Sequence, residues 1–556
     1  MKSTTSSTRN TKPSTAFRAL VLALALMLLP VSDALAGDIA FDLQGGYTAA
    51  DPAAVDAMNY TEEAEPVVID MDSADVVIGY IAPETASLNP TSCTEWSLIS
   101  INHLMFESLV DLDENMKPVP MLADSWEHEG KERNFKIRSG IQFHNGVELT
   151  AYDVVRSYET FASASSDNPY FGRLSLIDSM EATDILNLRV YANTYGLATL
   201  YALTFPVMQY TTLADEIPRG TGPYWFIQRY DDGRVRLEAN PLWWKQQPEV
   251  RSVLLKRYPD AGDALVAIQT NQIDMLSTNS PKASFSRKLA DLTSMDYTTL
   301  TYEFLLPNIS SNSMMSSLSV RQAVMYAIDR STLASNGYLD MAVQSEVPIP
   351  PSSWLYESQS AIYYYSPERA LQLMNNLGWR DMTGNGKLNR MNGIMLEEPN
   401  ITIVTYNEST NSIRENAANL IADYLETIGF NVNVVVSSRS EVRRYIRNRN
   451  YDLALIGVNL SEVPGLSPLL GREGSLNLNG FGTADMEQML AIAGSTPDEN
   501  ELIKVYSDIQ MYVVNWLPIM GLLFRTGTVL SSRSLGGMKG IRCYDAFNGF
   551  EFLKMG

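Results

Sequence analysis

Two cysteines and three histidines in 556 residues are too few for several kinds of chemistry. A disulfide-stapled scaffold needs dense cysteine, and a structural zinc site needs closely spaced Cys and His pairs. His103, His128 and His144 have no histidine four residues on, and no His-Glu-x-x-His or Cys-x-x-Cys occurs. A Gly-x-Ser-x-Gly nucleophile elbow is missing. So is a Walker A phosphate loop, which assigns any coupled ATP hydrolysis to another subunit. Basic residues are also scarce, with 42 Lys and Arg against 64 Asp and Glu and a net charge of -22. That balance excludes the basic footprint of a nucleic-acid binder. It also repels anionic lipid and mildly favours cationic ligands. Beyond the N-terminus no apolar run approaches 18 residues, so the remainder reads as a soluble chain.

The N-terminus has the form of a secretory signal. Lys2, Arg9, Lys12 and Arg18 precede the uncharged apolar run Ala19 to Leu29, then Pro30 and the small-x-small site Ala34-Leu35-Ala36. The run would span about 16 Å as a helix, against about 30 Å of hydrocarbon. Residues 1–36 are therefore expected to be cleaved, leaving a mature chain that starts at Gly37. Residues 37–75 are acidic and poor in large apolar side chains, and read as a flexible linker. A chain of this length needs two or three domains.

Several ordered blocks follow. Val76 to Tyr80 is a β-run. Phe135 to Arg138 alternates as a strand, Phe143-His144-Asn145-Gly146 turns, and Thr150 with Asp153 starts a helix as a capping box. Gly220-Thr-Gly-Pro-Tyr224 leads into an alternating strand, then Asn240-Pro241 and the pair Trp243-Trp244. A helix then ends in Gln272-Ile273-Asp274. Val320 to Arg330 and Tyr365 to Asn389 bring further helices. Asn416 to Val458 reads helix, strand FNVNVVV, helix, strand YDLALIGV, which predicts parallel pairing in an α/β fold.

This ordered set resembles solute-binding protein family 5, the peptide-, oligopeptide- and nickel-type extracytoplasmic binding components of ABC importers. The resemblance covers nearly everything from Val76 onward. It implies a two-lobed α/β fold of the type II periplasmic-binding-protein kind, with an extra subdomain in the first lobe. The expected divisions are lobe I at 76–305 with an insertion near 90–210, lobe II at 306–515, and a return to lobe I at 516–556. It further implies a binding function and no enzyme activity: peptides or peptide-like solutes are enclosed between lobes that close by hinge motion and are passed to permease and ATPase subunits. Alternatives are a non-peptide solute (oligosaccharide, opine or metal chelate), a ligand-sensing receptor, and, less favoured, a secreted peptidase. No cofactor is expected, and a monomer whose membrane contact runs only through the permease. No cysteine ends the apolar run, which points to a periplasmic protein without a lipid anchor.

Three regions map onto the cleft of such relatives. The loop after the first strand supplies Asn89, Cys93, Glu95 and Trp96. Tyr406 and Asn407 follow strand ITIVT, with Arg414 nearby as a candidate for a ligand carboxylate. Asn459, Ser461 and Glu462 follow YDLALIGV. In peptide binders a tryptophan follows that glycine and an aspartate three residues on pairs with the ligand α-ammonium; here these positions are Val458 and Ser461. Glu462 is the first candidate to replace that acid and Glu95 the second, because a buried ammonium without a carboxylate is costly. Cys93 and Cys543 are placed near one lobe by the resemblance, which allows one disulfide. Asp381-Met-Thr-Gly-Asn-Gly386 resembles the start of a calcium loop, but Asn392 stands where the closing glutamate should be. His144 is expected to make a backbone hydrogen bond, and His103 to sit in the core.

Overall fold

The computed structural model describes residues 73–408, 411–543 and 545–556. The signal segment 1–36 and the linker up to residue 72 lie outside the described residues. At the linker's end, Asp75 is anchored: its carboxylate accepts from the Ser252 N–H at 3.0 Å, and its own N–H donates to the Ser252 hydroxyl at 2.9 Å.

Eleven strands form one mixed sheet. In chain order they are β1 (Val76–Ile81), β2 (Tyr224–Arg229), β3 (Val235–Ala239), β4 (Ser252–Tyr258), β5 (Met275–Thr278) and β6 (Leu292–Pro307), then β7 (Ala342–Gln344), β8 (Asn400–Tyr406), β9 (Asn431–Ser437), β10 (Leu453–Asn459) and β11 (Met520–Ser532). The order across the sheet is β9-β8-β10-β6-β11-β5-β1-β4-β3-β2, with β7 on β11. β8 pairs in parallel with β9 and β10, as the helix–strand alternation predicts, and β1 pairs in parallel with β4 and β5. Of these, β1 and β10 are largely buried and read as apolar runs, as expected where both faces of a parallel strand are covered.

Strands β6 and β11 join the two halves. Leu292 to Thr298 of β6 pairs with β11 in the first half. After a register shift between Thr298 and Tyr302, β6 also pairs with β10 through Pro307. A bulge of this kind bends a strand and changes where its side chains aim. The fold is thus two α/β lobes that share two long strands.

The main helices are α1 (Trp96–Asn102), α2 (Ala151–Ala162), α3 (Ala261–Gln269), α4 (Leu318–Ala327), α5 (Ile413–Thr427) and α6 (Glu499–Trp516). The Asp153 carboxylate accepts the Thr150 N–H at 3.0 Å at the start of α2. Beyond α3, Asp274 accepts the Val77 N–H at 2.8 Å and its own N–H donates to the Val77 carbonyl, so the Gln-Ile-Asp ending ties the helix to β1. A separate antiparallel sheet of four strands, Ala123–Glu129, Glu132–Ile137, Asn187–Ala192 and Ile177–Ala182 in spatial order, belongs to the segment between α1 and β2. This segment meets the second lobe through Lys117 and Glu499 at 2.6 Å and through the Trp354 indole N–H, which donates to the Tyr201 hydroxyl at 3.0 Å.

Candidate ligand-binding site

The glycine-rich turn before β2 is a clamp on the chain that leaves α1. A Cβ on Gly220 or Gly222 would collide with the backbone of Met105, so only glycine lets the two segments meet. The Gly222 N–H then donates to the Met105 carbonyl at 3.0 Å and the Tyr224 N–H to the Leu104 carbonyl at 2.9 Å. Asn240 closes the turn by donating its side-chain N–H to the Gly222 carbonyl at 3.0 Å.

The product of this clamp is the position of Glu107. Its carboxylate accepts the Thr221 hydroxyl at 2.9 Å, the Trp244 indole N–H at 2.8 Å and the Trp243 indole N–H at 3.3 Å. Lys245 lies 3.3 Å away and over both indole rings. The Trp-Trp pair therefore holds a buried acid in place. His144 serves the same turn: its N–H donates to the Gly220 carbonyl at 3.0 Å, and its Nδ1 accepts the Gly220 N–H at 3.3 Å, the backbone role expected of it. Burial pushes its pKa down to about 3, which keeps the ring neutral and Nδ1 an acceptor.

Glu107 opens onto a cavity of about 80 Å³, part of whose boundary is solvent. Four other segments complete the wall. From α1's end comes His103, whose Nδ1 lies 3.2 Å from Asp545 of the C-terminal segment. Arg542 joins Asp545 at 3.4 Å to Asp111 at 3.1 Å. Burial alone would lower the His103 pKa, but the Asp545 carboxylate overrides it and the net shift is upward. For Asp545 burial opposes ionisation, and His103 and Arg542 together hold its pKa below the usual range. From the inserted segment comes Arg173, which contacts Glu462 at 2.7 Å and donates to the Thr204 hydroxyl at 2.6 Å. Glu462 belongs to the loop after β10, so this pair, 2.7 Å apart and almost solvent-free, joins the two lobes.

Of the predicted cleft residues whose side chains are described, Glu462 lines this cavity and the others do not. Asn89 is used locally: its side-chain carbonyl accepts from the Thr91 N–H and hydroxyl. Glu95 precedes α1 without making a side-chain cap bond, and Trp96 is the helix's first residue. Asn407 is exposed, Asn459 accepts the Thr301 hydroxyl at 2.8 Å, and Ser461 accepts the Val463 N–H at 3.1 Å. Cys93 corrects the disulfide expectation. It is a free buried thiol whose Sγ contacts the Glu95 carbonyl at 3.7 Å, and burial pushes its pKa up to about 11. Cys543 packs instead beside Tyr201 and Val463.

Arg414 is corrected too. All three of its guanidinium nitrogens are taken: Nε and Nη2 donate to Glu303 at 3.2 and 2.7 Å, and Nη1 donates to Glu408 at 2.7 Å. Arg525 on β11 closes the ring, 2.6 Å from Glu303 and 2.8 Å from Glu408. Tyr406 lies under the Arg414 guanidinium, 4.1 Å from ring centroid to Cζ. Arg414 is also only 2% exposed, so its charge is spent inside this ring of ion pairs. The calcium-like loop is likewise self-satisfied: the Asp381 carboxylate accepts the N–H groups of Gly384 at 2.7 Å, Asn385 at 3.2 Å and Gly386 at 2.9 Å.

Residues 117–471 match the family described as bacterial extracellular solute-binding proteins, family 5 Middle. The chain belongs to this family. It is 24% identical over 489 residues to the oligopeptide-binding protein AppA of Bacillus subtilis, a match that covers 84% of this chain and 89% of that protein. It is 25% identical over 470 residues to heme-binding protein A of Haemophilus influenzae, covering 77% and 83%. Among solved structures, the nickel ABC transporter protein of Bacillus halodurans superposes with a TM-score of 0.74 at 20% identity, over 86% of this chain and all of that one. AppA of Bacillus subtilis in complex with a nonapeptide gives 0.58 at 21% identity, over 86% and 98%. These likenesses show the two-lobed fold.

Glu107, Arg173, Asp545 and Glu551 were missed by the sequence reading. One signal existed: Glu107 interrupts the apolar stretch Leu104-Met-Phe-Glu-Ser-Leu-Val110, where a charge needs a built partner.

Proposed function

We propose that this protein is the extracytoplasmic substrate-binding component of an ABC importer, that it takes peptides or peptide-like solutes, and that it hands them to a membrane permease. The observation that carries the reading is the cavity at which Arg173 of the inserted segment meets Glu462 of the second lobe. A site with walls from both lobes couples occupancy to lobe position, which a permease can sense. Its mixed charge suits a solute that bears both ammonium and carboxylate groups. The family, and an oligopeptide-binding relative that aligns over most of both chains, support the same class.

Glu462 is already engaged by Arg173, so an α-amine recognised there would share its carboxylate with that guanidinium. The periplasm is the compartment that fits the family's extracellular role, and among the described residues no helix is long and apolar enough to cross a membrane. Native mass spectrometry of the protein from its own host, followed by calorimetry with synthetic peptides, tests the reading. Retained peptide masses and micromolar or tighter binding are expected; retention of a non-peptide solute with no peptide binding would overturn it.

A further inference from the structure

The cavity wall is not charge-balanced. Lys245 answers Glu107, and Arg173 answers Glu462. Arg542 alone answers both Asp111 and Asp545. Glu551, from the same C-terminal segment, lines the cavity without a direct ion pair among the described residues; the Lys245 charge acts on it, but Lys245 already pairs with Glu107. Five acids thus face three permanent cations. The surplus is two negative charges with His103 neutral and one with it protonated.

Two polar atoms on the same wall lack partners. The Tyr170 side chain is 4% exposed, and its hydroxyl has no hydrogen-bond partner among the described residues. Asp545 is 6% exposed; one carboxylate oxygen meets His103 and Arg542, and the other, Oδ1, has no partner among the described residues. Buried polar atoms are rarely left this way, because each forfeits its hydration for nothing. Tyr170, Asp545 and Glu551 all line the one cavity. A donor-rich cation would satisfy both the charge and the acceptors.

We propose that Asp545, Glu551 and Tyr170 form a subsite for a cationic nitrogen group of the solute, a primary ammonium or a guanidinium. The subsite rests on the reading above that the cavity holds the ligand, and it narrows the solute class to amine-bearing molecules. Its residues come from the C-terminal segment and the inserted segment, and are separate from the second-lobe loop to which sequence reasoning assigned the α-amine.

The test uses the full chain and two sets of probes. One set is Ala-Lys-Ala, its norleucine counterpart Ala-Nle-Ala, and N-acetyl-Ala-Lys-Ala. The other is n-butylammonium and n-butanol, small enough to report on the subsite alone. Binding is measured by calorimetry and competition for wild type, Glu551→Gln and Asp545→Asn. Cationic probes should bind roughly tenfold to hundredfold more tightly than their neutral counterparts, the range for hydrogen bonds to charged groups. Glu551→Gln, which breaks no ion pair, should bring the two close to parity. A loss on replacing lysine by norleucine identifies the side-chain amine as the occupant, and a loss on acetylation identifies the α-amine. If no peptide binds but butylammonium still outcompetes butanol in wild type and not in the variants, the subsite stands and the peptide reading falls. If cationic and neutral probes bind alike, or the preference survives both substitutions, the proposal is overturned whether or not peptides bind.

Discussion

Two ionic clusters share no residue and are built differently. The cluster at the shared strands pairs Glu303 and Glu408 with Arg414 and Arg525: two charges against two, every guanidinium nitrogen of Arg414 used, Glu303 0% exposed. The cavity cluster has more acids than cations, a shared Arg542 and unused polar atoms. A closed, neutral cluster fixes strands in place. An open cluster with surplus charge has room for one more partner. Their difference separates architecture from binding more clearly than residue type does, since both use the same Arg and Glu side chains.

Substitutions should reproduce the difference. The largest effect is expected from Glu303→Gln, which leaves the buried guanidinium of Arg414 and the half-buried one of Arg525 with only Glu408; unfolding in denaturant should show a loss of about 3–5 kcal/mol. Next is acid sensitivity at the glycine clamp. The His144 pKa falls to about 3 in the fold, so the unfolded chain binds the proton more readily. The native state is therefore favoured above the unfolded value near 6.5 and loses that advantage as pH falls. Stability should drop by on the order of 3 kcal/mol between pH 7 and pH 4 from this group. His144→Asn, which keeps an acceptor for Gly220, should flatten that limb.

Smaller effects follow in the cavity. Burial raises the Glu551 pKa, so its ionised form disfavours the fold as pH rises through that value. Glu551→Gln should leave unliganded stability at neutral pH unchanged or higher, within about 1 kcal/mol. Smallest of all is the response to calcium. Because backbone N–H groups already occupy the Asp381 carboxylate, adding calcium or a chelator should leave the melting temperature unchanged.

The sequence made the fold legible and much of the site illegible, for a physical reason. Strand runs, caps and glycine turns are local, so the α/β order, the parallel pairing and the His144 contact could be read from neighbours in the chain. The cavity is a product of distant pairing: His103 meets a residue 442 positions away, and Arg173 meets Glu462 across 289. Nothing near Asp545 or Arg173 in sequence announces those partners. The same blindness explains Arg414, which looked available because Glu303 and Arg525, on strands far away in sequence, were unseen. Glu462, which lines the cavity, drew notice because a departure from a family pattern is itself local.

The most direct measurement crosses the two clusters. Unfolding free energy and Ala-Lys-Ala affinity are determined side by side for Glu303→Gln and Glu551→Gln, below the midpoint of each unfolding curve. Glu303→Gln should lose stability and keep wild-type affinity, whereas Glu551→Gln should keep stability and lose roughly tenfold or more in affinity. Equal losses of both properties in the two variants, or the reverse pattern, would contradict the division between an architectural cluster and a binding one.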